Sequence, residues 1–140
     1  MKQITVFLEN RIGRLETVTD ILSKNNINII CISLSDTVDY GMLRMLVSQP
    51  AEAQRVLMEA GFSAMLTDVL AVRLIHQFGM LNKFNGLLAS NGIDIKYMYA
   101  LMSGKDSAVV LKTSDNDKCE ELLKNSEEFK VLSAVEIYNL

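Results

Sequence analysis

The sequence has 140 residues, enough for one ordinary domain or two very small ones. Hydrophobic residues make up 49% of it, which excludes a disordered chain, because disordered segments are poor in apolar residues. A net charge of −3 provides no basic field for a nucleic-acid backbone, and no apolar run approaches the roughly 20 residues that span a bilayer.

The residue types that build metal sites and disulfides are sparse. Cys31 and Cys119 lie far apart without a CxxC spacing, and a single histidine, His76, cannot complete a metal site. We therefore expect free thiols in a reducing cytoplasm, and we predict neither a metal nor a cofactor.

The first half of the chain predicts the order strand, helix, strand, strand, helix, strand. The apolar residues Ile4, Val6 and Leu8 alternate with the polar residues Gln3, Thr5 and Glu9, which is typical of a half-buried strand. Beyond Gly13, the i, i+3, i+7 spacing of Leu15, Val18 and Leu22 predicts a helix with one apolar face. The remaining elements are predicted as strands at Ile27–Leu34 and Met42–Val47, a helix that begins at Pro50 and is ended by Gly61, and a strand at Ser63–Asp68.

An internal repeat organises the chain. Gly13 recurs as Gly79 and Asn25 as Asn91, both at an offset of 66 residues. Apolar matches at the same offset are Val6 with Val72, Leu8 with Leu74, Leu15 with Leu81, Leu22 with Leu88, Ile27 with Ile93 and Ile29 with Ile95. A glycine and an asparagine in register at one offset predict a duplicated domain.

The second half predicts the same order of elements. Its strands are predicted at Val69–Ile75, Ile93–Tyr99, Ala108–Lys112 and Val131–Ile137, and its helices carry Leu81, Phe84 and Leu88, then Cys119, Leu122 and Leu123. Ser114, three residues before Asp117, is predicted to cap the second of these helices. Met102–Lys105 is superficially similar to a phosphate loop, but it lacks the upstream glycine and predicts a hairpin. The predicted fold is α+β, with two tandem ferredoxin-like βαββαβ domains at residues 1–67 and 68–140, each an antiparallel sheet with its helices on one face.

The second predicted strand is apolar on both faces. Ile27, Ile29 and Cys31 are predicted to face the helices, with Ile30, Ile32 and Leu34 on the opposite face, and Tyr97 and Tyr99 to enter the second core with Ile93 and Ile95. A strand apolar on both faces is usually covered on both. We therefore expect the two halves to pack together and two chains to form a homodimer; a mildly apolar exposed face is the alternative.

The repeated loop and the strand after it carry a family resemblance. Glu9-Asn10-Arg11-Ile12-Gly13-Arg14-Leu15, a helix and then Asn26-Ile27-Asn28-Ile29 resemble the ACT-domain signature, as do residues 76–81 with 91–95. The resemblance covers the whole chain, twice, and is nearest to small stand-alone proteins of two ACT domains. It implies a non-catalytic regulatory protein that binds a free amino acid.

Elementary chemistry supports a ligand site at this loop. A glycine lets the backbone approach a ligand closely, and the free N–H groups of the next helical turn favour an anion such as an α-carboxylate. In the ACT domain of phosphoglycerate dehydrogenase, one asparagine in this loop and one that opens the second strand contact the effector. The matching positions are Asn10 and Asn28, and His76 and Asp94 in the second copy. The ligand-binding residues implied are Asn10, Arg11, Ile12, Gly13, Arg14, Leu15 and Asn28, with His76, Gln77, Phe78, Gly79, Met80, Leu81 and Asp94.

Alternatives stay open for these residues. Gly13 and Gly79 are also compatible with simple turns, and His76 with a structural role. The proline that the family carries before the glycine is replaced by Ile12 and Phe78. The first copy also resembles the regulatory subunit of acetolactate synthase, which implies a second function, contact with an amino-acid biosynthetic enzyme.

Overall fold

The computed structural model describes residues 1–103 and 106–140, so the hairpin predicted at Met102–Lys105 lies partly outside the described residues. The chain divides into two compact units, one formed by Lys2–Thr67 and the other by Asp68–Leu140 together with Met1. Each unit has a four-stranded antiparallel sheet with helices, which is the ferredoxin-like α+β arrangement predicted from the repeat. None of the described helices is long and apolar enough to cross a membrane.

The first unit follows the predicted order throughout. Its elements are β1 (Lys2–Glu9), α1 (Arg14–Lys24), β2 (Ile29–Asp36), β3 (Tyr40–Val47), α2 (Pro50–Glu59) and β4 (Ser63–Asp68). The strand order is β2-β3-β1-β4, so β1 lies inside the sheet, and the loop that follows β1 lies at one end of the sheet.

The second unit repeats this layout as far as its fourth strand. Its elements are β5 (Leu70–Ile75), α3 (Met80–Ser90), β6 (Ile95–Ser103), β7 (Asp106–Thr113), α4 (Asn116–Leu123), β8 (Lys130–Val131) and α5 (Ala134–Tyr138). The strand order is β6-β7-β5-β8, in which β5 and α3 take the places of β1 and α1.

Each unit has its own apolar core between sheet and helices. In the first unit Ile4 and Val6 of β1 are fully buried, as are Val18 and Leu22 of α1. In the second unit Phe84 of α3 is fully buried and packs against Phe129 with the rings tilted by 58° and 5.3 Å between their centroids. Burial of such side chains contributes roughly 1.5–3 kcal/mol each, so each core holds its loop in a defined place.

A β-bulge interrupts the second strand of both units at the repeated position. The register shifts between Ile29 and Cys31 in β2, and between Ile95 and Tyr97 in β6. A bulge adds one residue to a strand, and one extra residue exchanges the faces of every side chain beyond it.

The bulge overturns the predicted facing of these strands. Ile32 pairs with Met45 and Leu34 with Leu43; because both partners belong to the helix-side core, Ile32 and Leu34 lie on the helix side, where they are partly exposed. The prediction that they face away from the helices is wrong.

The same correction applies in the second unit. Tyr97 pairs with Lys112 and Tyr99 with Val110, and these partners lie on the face away from the core, whereas Met98 packs against the core. Tyr97 and Tyr99 therefore do not enter the core with Ile95, because the extra residue of the bulge lies between them and it.

The last predicted strand is also wrong. The structure has a two-residue strand, Lys130–Val131, followed by the helix α5 instead of a strand to Ile137. Ser133 begins this helix: its hydroxyl accepts from Glu136 N–H, and the Glu136 carboxylate accepts from Ser133 N–H, which is a complete capping box.

The cap of α4 is one residue from the predicted position. The Asp115 carboxylate accepts from Lys118 N–H at 2.9 Å, so Asp115 caps the helix. Ser114 instead accepts from Asp94 N–H through its hydroxyl at 3.0 Å. Ser114 therefore fixes the start of β6 rather than the helix.

Candidate functional site

The loop between β1 and α1 ends in a glycine that the backbone conformation requires. Gly13 precedes the helix with φ 88° and ψ −7°, in the left-handed region, and Gly79 repeats this with φ 84°. A side chain at either position would be strained, although nothing lies within 4 Å of the place a Cβ would take.

The helix start leaves backbone donors available. The first bond within α1 runs from Thr17 N–H to Gly13 O at 3.0 Å, so the N–H groups of Leu15 and Glu16 have no helical carbonyl to bond. Among the described residues, no side chain caps α1 or α3 at this end. The helix dipole adds partial positive charge at the same point, which favours a bound anion.

A cleft of about 380 Å³ lies in front of this helix start in the first unit. We call it the first cleft. Its lining residues come from the end of β1, the loop, α1 and the facing ends of β2 and β3: Leu8, Glu9, Asn10, Arg11, Ile12, Arg14, Leu15, Leu34, Ser35, Asp36 and Gly41. It therefore combines an apolar floor with amide, carboxylate and guanidinium groups.

The charged side chains of the first cleft are only partly paired with one another. The Glu9 carboxylate lies 2.7 Å from Arg11 Nε and 3.9 Å from a terminal nitrogen of Arg14. The Arg14 guanidinium stacks over the Phe62 ring, 4.3 Å from its centroid, and its buried Nε has no hydrogen-bond partner among the described residues. Because the pair with Glu9 is long, Arg14 can still bind an anion in the cleft.

A smaller cleft of about 110 Å³ occupies the equivalent place in the second unit. We call it the second cleft. Its lining residues are Leu74, Ile75, His76, Gln77, Met80, Leu81, Ala100, Ser107, Ala108 and Val109. Met80 stands where the first unit has Arg14, so the second cleft lacks that guanidinium.

The structure brings most of the predicted ligand residues together within each unit. Asn10, Arg11, Ile12, Arg14 and Leu15 line the first cleft, and Gly13 lies in the same loop. His76, Gln77, Met80 and Leu81 line the second cleft, and Phe78 and Gly79 lie in the same loop. Ile12 and Phe78, at equivalent loop positions, are fully exposed.

Asn28 and Asp94 lie at the other end of their sheets. Glu9 pairs with Tyr40 at one end of β3, whereas Ile29, next to Asn28, pairs with Val47 at the other. Seven residues of strand separate these ends, roughly 23 Å at about 3.3 Å per residue. Within a unit, the structure therefore does not bring Asn28 to Asn10.

A repeated serine fixes both strand starts. Ser48 accepts from Asn28 N–H at 3.0 Å, and Ser114 accepts from Asp94 N–H at 3.0 Å. In return Ser48 N–H donates to Asn28 O at 2.9 Å and Ser114 N–H donates to Asp94 O at 2.8 Å. These two positions thus have a shared structural role in the described chain.

Sequence reasoning missed six lining residues of the first cleft: Leu8 and Glu9, which end β1 next to the loop, and four residues of β2 and β3, Leu34, Ser35, Asp36 and Gly41. The residues of β2 and β3 reach the cleft through strand pairing, because Asp36 lies opposite Gly41, and Gly41 lies opposite Leu8. The sequence signal for them is the short turn between β2 and β3, which returns the chain to the end of β1.

A larger groove of about 460 Å³ lies along α4 and β8. Its walls are mainly charged surface side chains, among them Asp117, Glu120, Glu121 and Lys124. The helix start that favours an anion is at the clefts instead, so volume alone does not identify the candidate site.

The sequence matches one family model, that of the ACT domain pair, over residues 1–136. The chain belongs to the ACT domain pair family. ACT domains are a regulatory type of domain, typically one that binds amino acids.

Solved structures agree with the ACT fold. Protein BT0572 from Bacteroides thetaiotaomicron is 37% identical with a TM-score of 0.92; the match covers 99% of this chain and 96% of that one. The ligand-free regulatory subunit of aspartate kinase from Thermus thermophilus is 19% identical, with a TM-score of 0.67 and coverage of 88% and 87%. The same subunit from Thermus flavus is 19% identical, with a TM-score of 0.65 and coverage of 88% and 88%. Among curated proteins, none matches the sequence.

Proposed function

We propose that residues 1–67 and 68–140 are two ACT domains of a non-catalytic regulatory protein, and that the first cleft binds a free amino acid. The observation that carries the proposal is the uncapped start of α1, which opens into a cleft that offers both a cation and carboxylates. An amino acid carries a negative and a positive group on one carbon, and this arrangement can bind both.

The carboxylate of the ligand is expected to bind at the start of α1. The N–H groups of Leu15 and Glu16 supply donors, and Arg14 supplies a guanidinium that is held over Phe62 and so is partly fixed in place. Hydrogen bonds of this charged kind contribute roughly 1.5–3 kcal/mol.

The ammonium group of the ligand belongs on the opposite wall. Asn10 can accept a hydrogen bond through its side-chain oxygen, and Asp36 adds a carboxylate from the end of β2. The family resemblance assigns a ligand contact to Asn10 independently of this geometry.

A thermal-shift screen of the twenty standard L-amino acids tests the proposal. A ligand that binds only the folded state stabilises it by RT ln(1 + [L]/Kd), about 2.7 kcal/mol at a hundredfold excess over Kd. We expect at least one amino acid to raise Tm, and the amine that lacks its carboxylate to leave Tm unchanged. No response to any of the twenty contradicts the proposal.

A matched pair of variants localises the binding. Asn10→Ala removes the amide from the first cleft, so the affinity should fall by roughly 1.5–3 kcal/mol. Asn125→Ala removes an exposed amide from the turn after α4 and should bind as the parent does. Equal affinity of Asn10→Ala and the parent places the ligand elsewhere.

A second candidate function is regulation through contact with an amino-acid biosynthetic enzyme. It is supported by Ile12 and Phe78. These two large apolar side chains are fully exposed at equivalent positions of the two loops. A partner that covered these two side chains would remove their apolar surface from water, which stabilises a complex. Co-purification from the native host tests it: the enzyme should accompany the parent and be lost with Ile12→Asp and Phe78→Asp together.

A further inference from the structure

The backbone conformation at Gly41 does not require a glycine. Gly41 lies in β3, opposite Leu8 of β1 and Asp36 of β2, and it is absent from the glycines with positive φ. Within a strand, glycine is less favourable than alanine because it loses more conformational freedom and packs no side chain.

The packing of the protein does not require glycine at this position either. A Cβ on Gly41 would lie 3.5 Å from Leu34 Cδ1, 3.7 Å from Asn10 Oδ1 and 3.7 Å from Leu8 Cβ, all ordinary van der Waals distances. All three neighbours line the first cleft. An alanine methyl group therefore fits, but it takes space beside the floor of the cleft and the Asn10 amide.

The second unit has a side chain at the equivalent position. Ser107 pairs with Leu74 as Gly41 pairs with Leu8, and its buried hydroxyl donates to Leu74 O at 2.6 Å. Ser107 lines the second cleft, whose volume is about 110 Å³ against about 380 Å³ for the first. The larger cleft is thus the one that has glycine in this place.

The space beside Gly41 is bordered by the Leu8 and Leu34 side chains and, at one edge, by the Asn10 amide oxygen. Leu8 lies opposite Gly41, and Leu34 is 53% exposed although it belongs to the helix side of the sheet. A ligand side chain seated there would cover the exposed part of Leu34 and pack against the Leu8 and Leu34 side chains.

We infer that Gly41 determines ligand specificity by leaving room for an aliphatic side chain, so that the first cleft selects an amino acid larger than alanine. This inference rests on the proposed function, because it assumes that the first cleft binds an amino acid. It places the aliphatic side chain of the ligand in the space next to Leu8 and Leu34.

Calorimetric titration with glycine, alanine, valine and leucine tests the inference on the full chain. The parent should bind valine or leucine more tightly than glycine. In Gly41→Ala the affinity for the preferred aliphatic ligand should fall by roughly 10- to 200-fold, the usual effect of one methylene in an apolar pocket. The affinity for glycine should change much less, because glycine does not occupy that space.

Two further variants control for folding. Gly41→Ser introduces the residue of the second unit and should weaken the same ligand, so the test does not depend on one variant. Gly86→Ala adds a methyl group to α3 where nothing lies within 4 Å, and it should keep the parent's affinities. Both alanine variants should keep or raise Tm, because alanine is favoured over glycine in strands and helices.

The outcomes separate the inference from the proposed function. If the parent binds an amino acid and the folded Gly41→Ala and Gly41→Ser variants keep the parent's preferences among amino acids, the inference alone is overturned. A preference of the parent for glycine or for a charged amino acid also overturns the inference alone. Failure of the parent to bind any amino acid overturns the proposed function, and the inference with it.

Discussion

Replacement of Arg14 by methionine separates its role in ligand binding from its role in the fold. Arg14→Met places in the first cleft the residue that Met80 provides in the second, and it keeps a long apolar stem against Phe62. The charge is removed while most of the packing remains.

The expected change in stability is small. The variant loses a cation–π contact of about 0.5–1 kcal/mol and a long, partly exposed ion pair with Glu9 of about 0–1 kcal/mol. It also removes the buried Nε that has no hydrogen-bond partner among the described residues, which offsets part of that loss. We expect the free energy of unfolding to change by about 1 kcal/mol or less.

The expected change in affinity is large. If Arg14 binds the ligand carboxylate, its loss costs roughly 1.5–3 kcal/mol, which corresponds to about a 10- to 150-fold rise in Kd. Calorimetric titration with the best amino acid from the thermal-shift screen measures this, and urea denaturation measures the stability of the same sample.

Arg55→Met provides the matched control. Arg55 pairs with Glu52 and Glu59 on the exposed surface of α2, away from the first cleft, so its loss should leave the affinity unchanged. A folded Arg14→Met protein that binds within twofold of the parent refutes the assignment of the carboxylate to Arg14.

Further predictions concern the core, a thiol and the C-terminal helix. Leu22→Ala empties a fully buried position, so urea denaturation should show a loss of about 2–5 kcal/mol; a loss well under 1 kcal/mol contradicts the packing. Burial, with added repulsion from nearby carboxylates, raises the pKa of the Cys119 thiol to about 11, so Ellman's reagent should react with it quickly only after unfolding. The hydrogen bond from Lys130, with those from Ser133, lowers the pKa of Glu136 to about 2. Because this pKa lies below the unfolded value of about 4.3, the stabilisation is present above pH 4.3 and is lost as the pH falls towards 2. NMR titration should show that loss in α5, and an ordinary pKa for Glu136 contradicts the capping box.

Local patterns in the sequence predicted the regular elements well. In β1, Ile4, Val6 and Leu8 recur at every second position and are all buried on the helix side, and Pro50 begins α2 as its fixed φ suggests. These elements follow from nearest neighbours along the chain, so composition and period are sufficient to find them.

The bulges could not be predicted, because β2 carries apolar residues at both parities. Because all four residues from Ile29 to Ile32 are apolar, either alternate set can face the core, and only pairing with β3 decides between them. The C-terminal helix was predictable in principle, since Ser133 and Glu136 have the spacing of a capping box, but Val131, Val135 and Ile137 also fit a strand.

The part of the candidate site that comes from one continuous segment of the chain could be predicted. The loop residues from Asn10 to Leu15 are adjacent in sequence and lie together around the first cleft. Asp36 and Gly41 reach it through strand register, and Asn28 lies at the far end of the sheet for the same reason. Register is a property of the folded sheet, so the sequence indicates Asp36 and Gly41 only indirectly, through the short turn between β2 and β3, and it does not indicate the position of Asn28.

The measurement that tests the central claim most directly is a ¹H–¹⁵N NMR titration of the full chain with the amino acid that most raises Tm. We expect the amide signals of Gly13, Arg14, Leu15 and Glu16 to move first and furthest, together with that of Gly41, and the decarboxylated amine to move none of them. Shifts confined to residues outside the first cleft, or equal shifts with the amine, contradict this expectation.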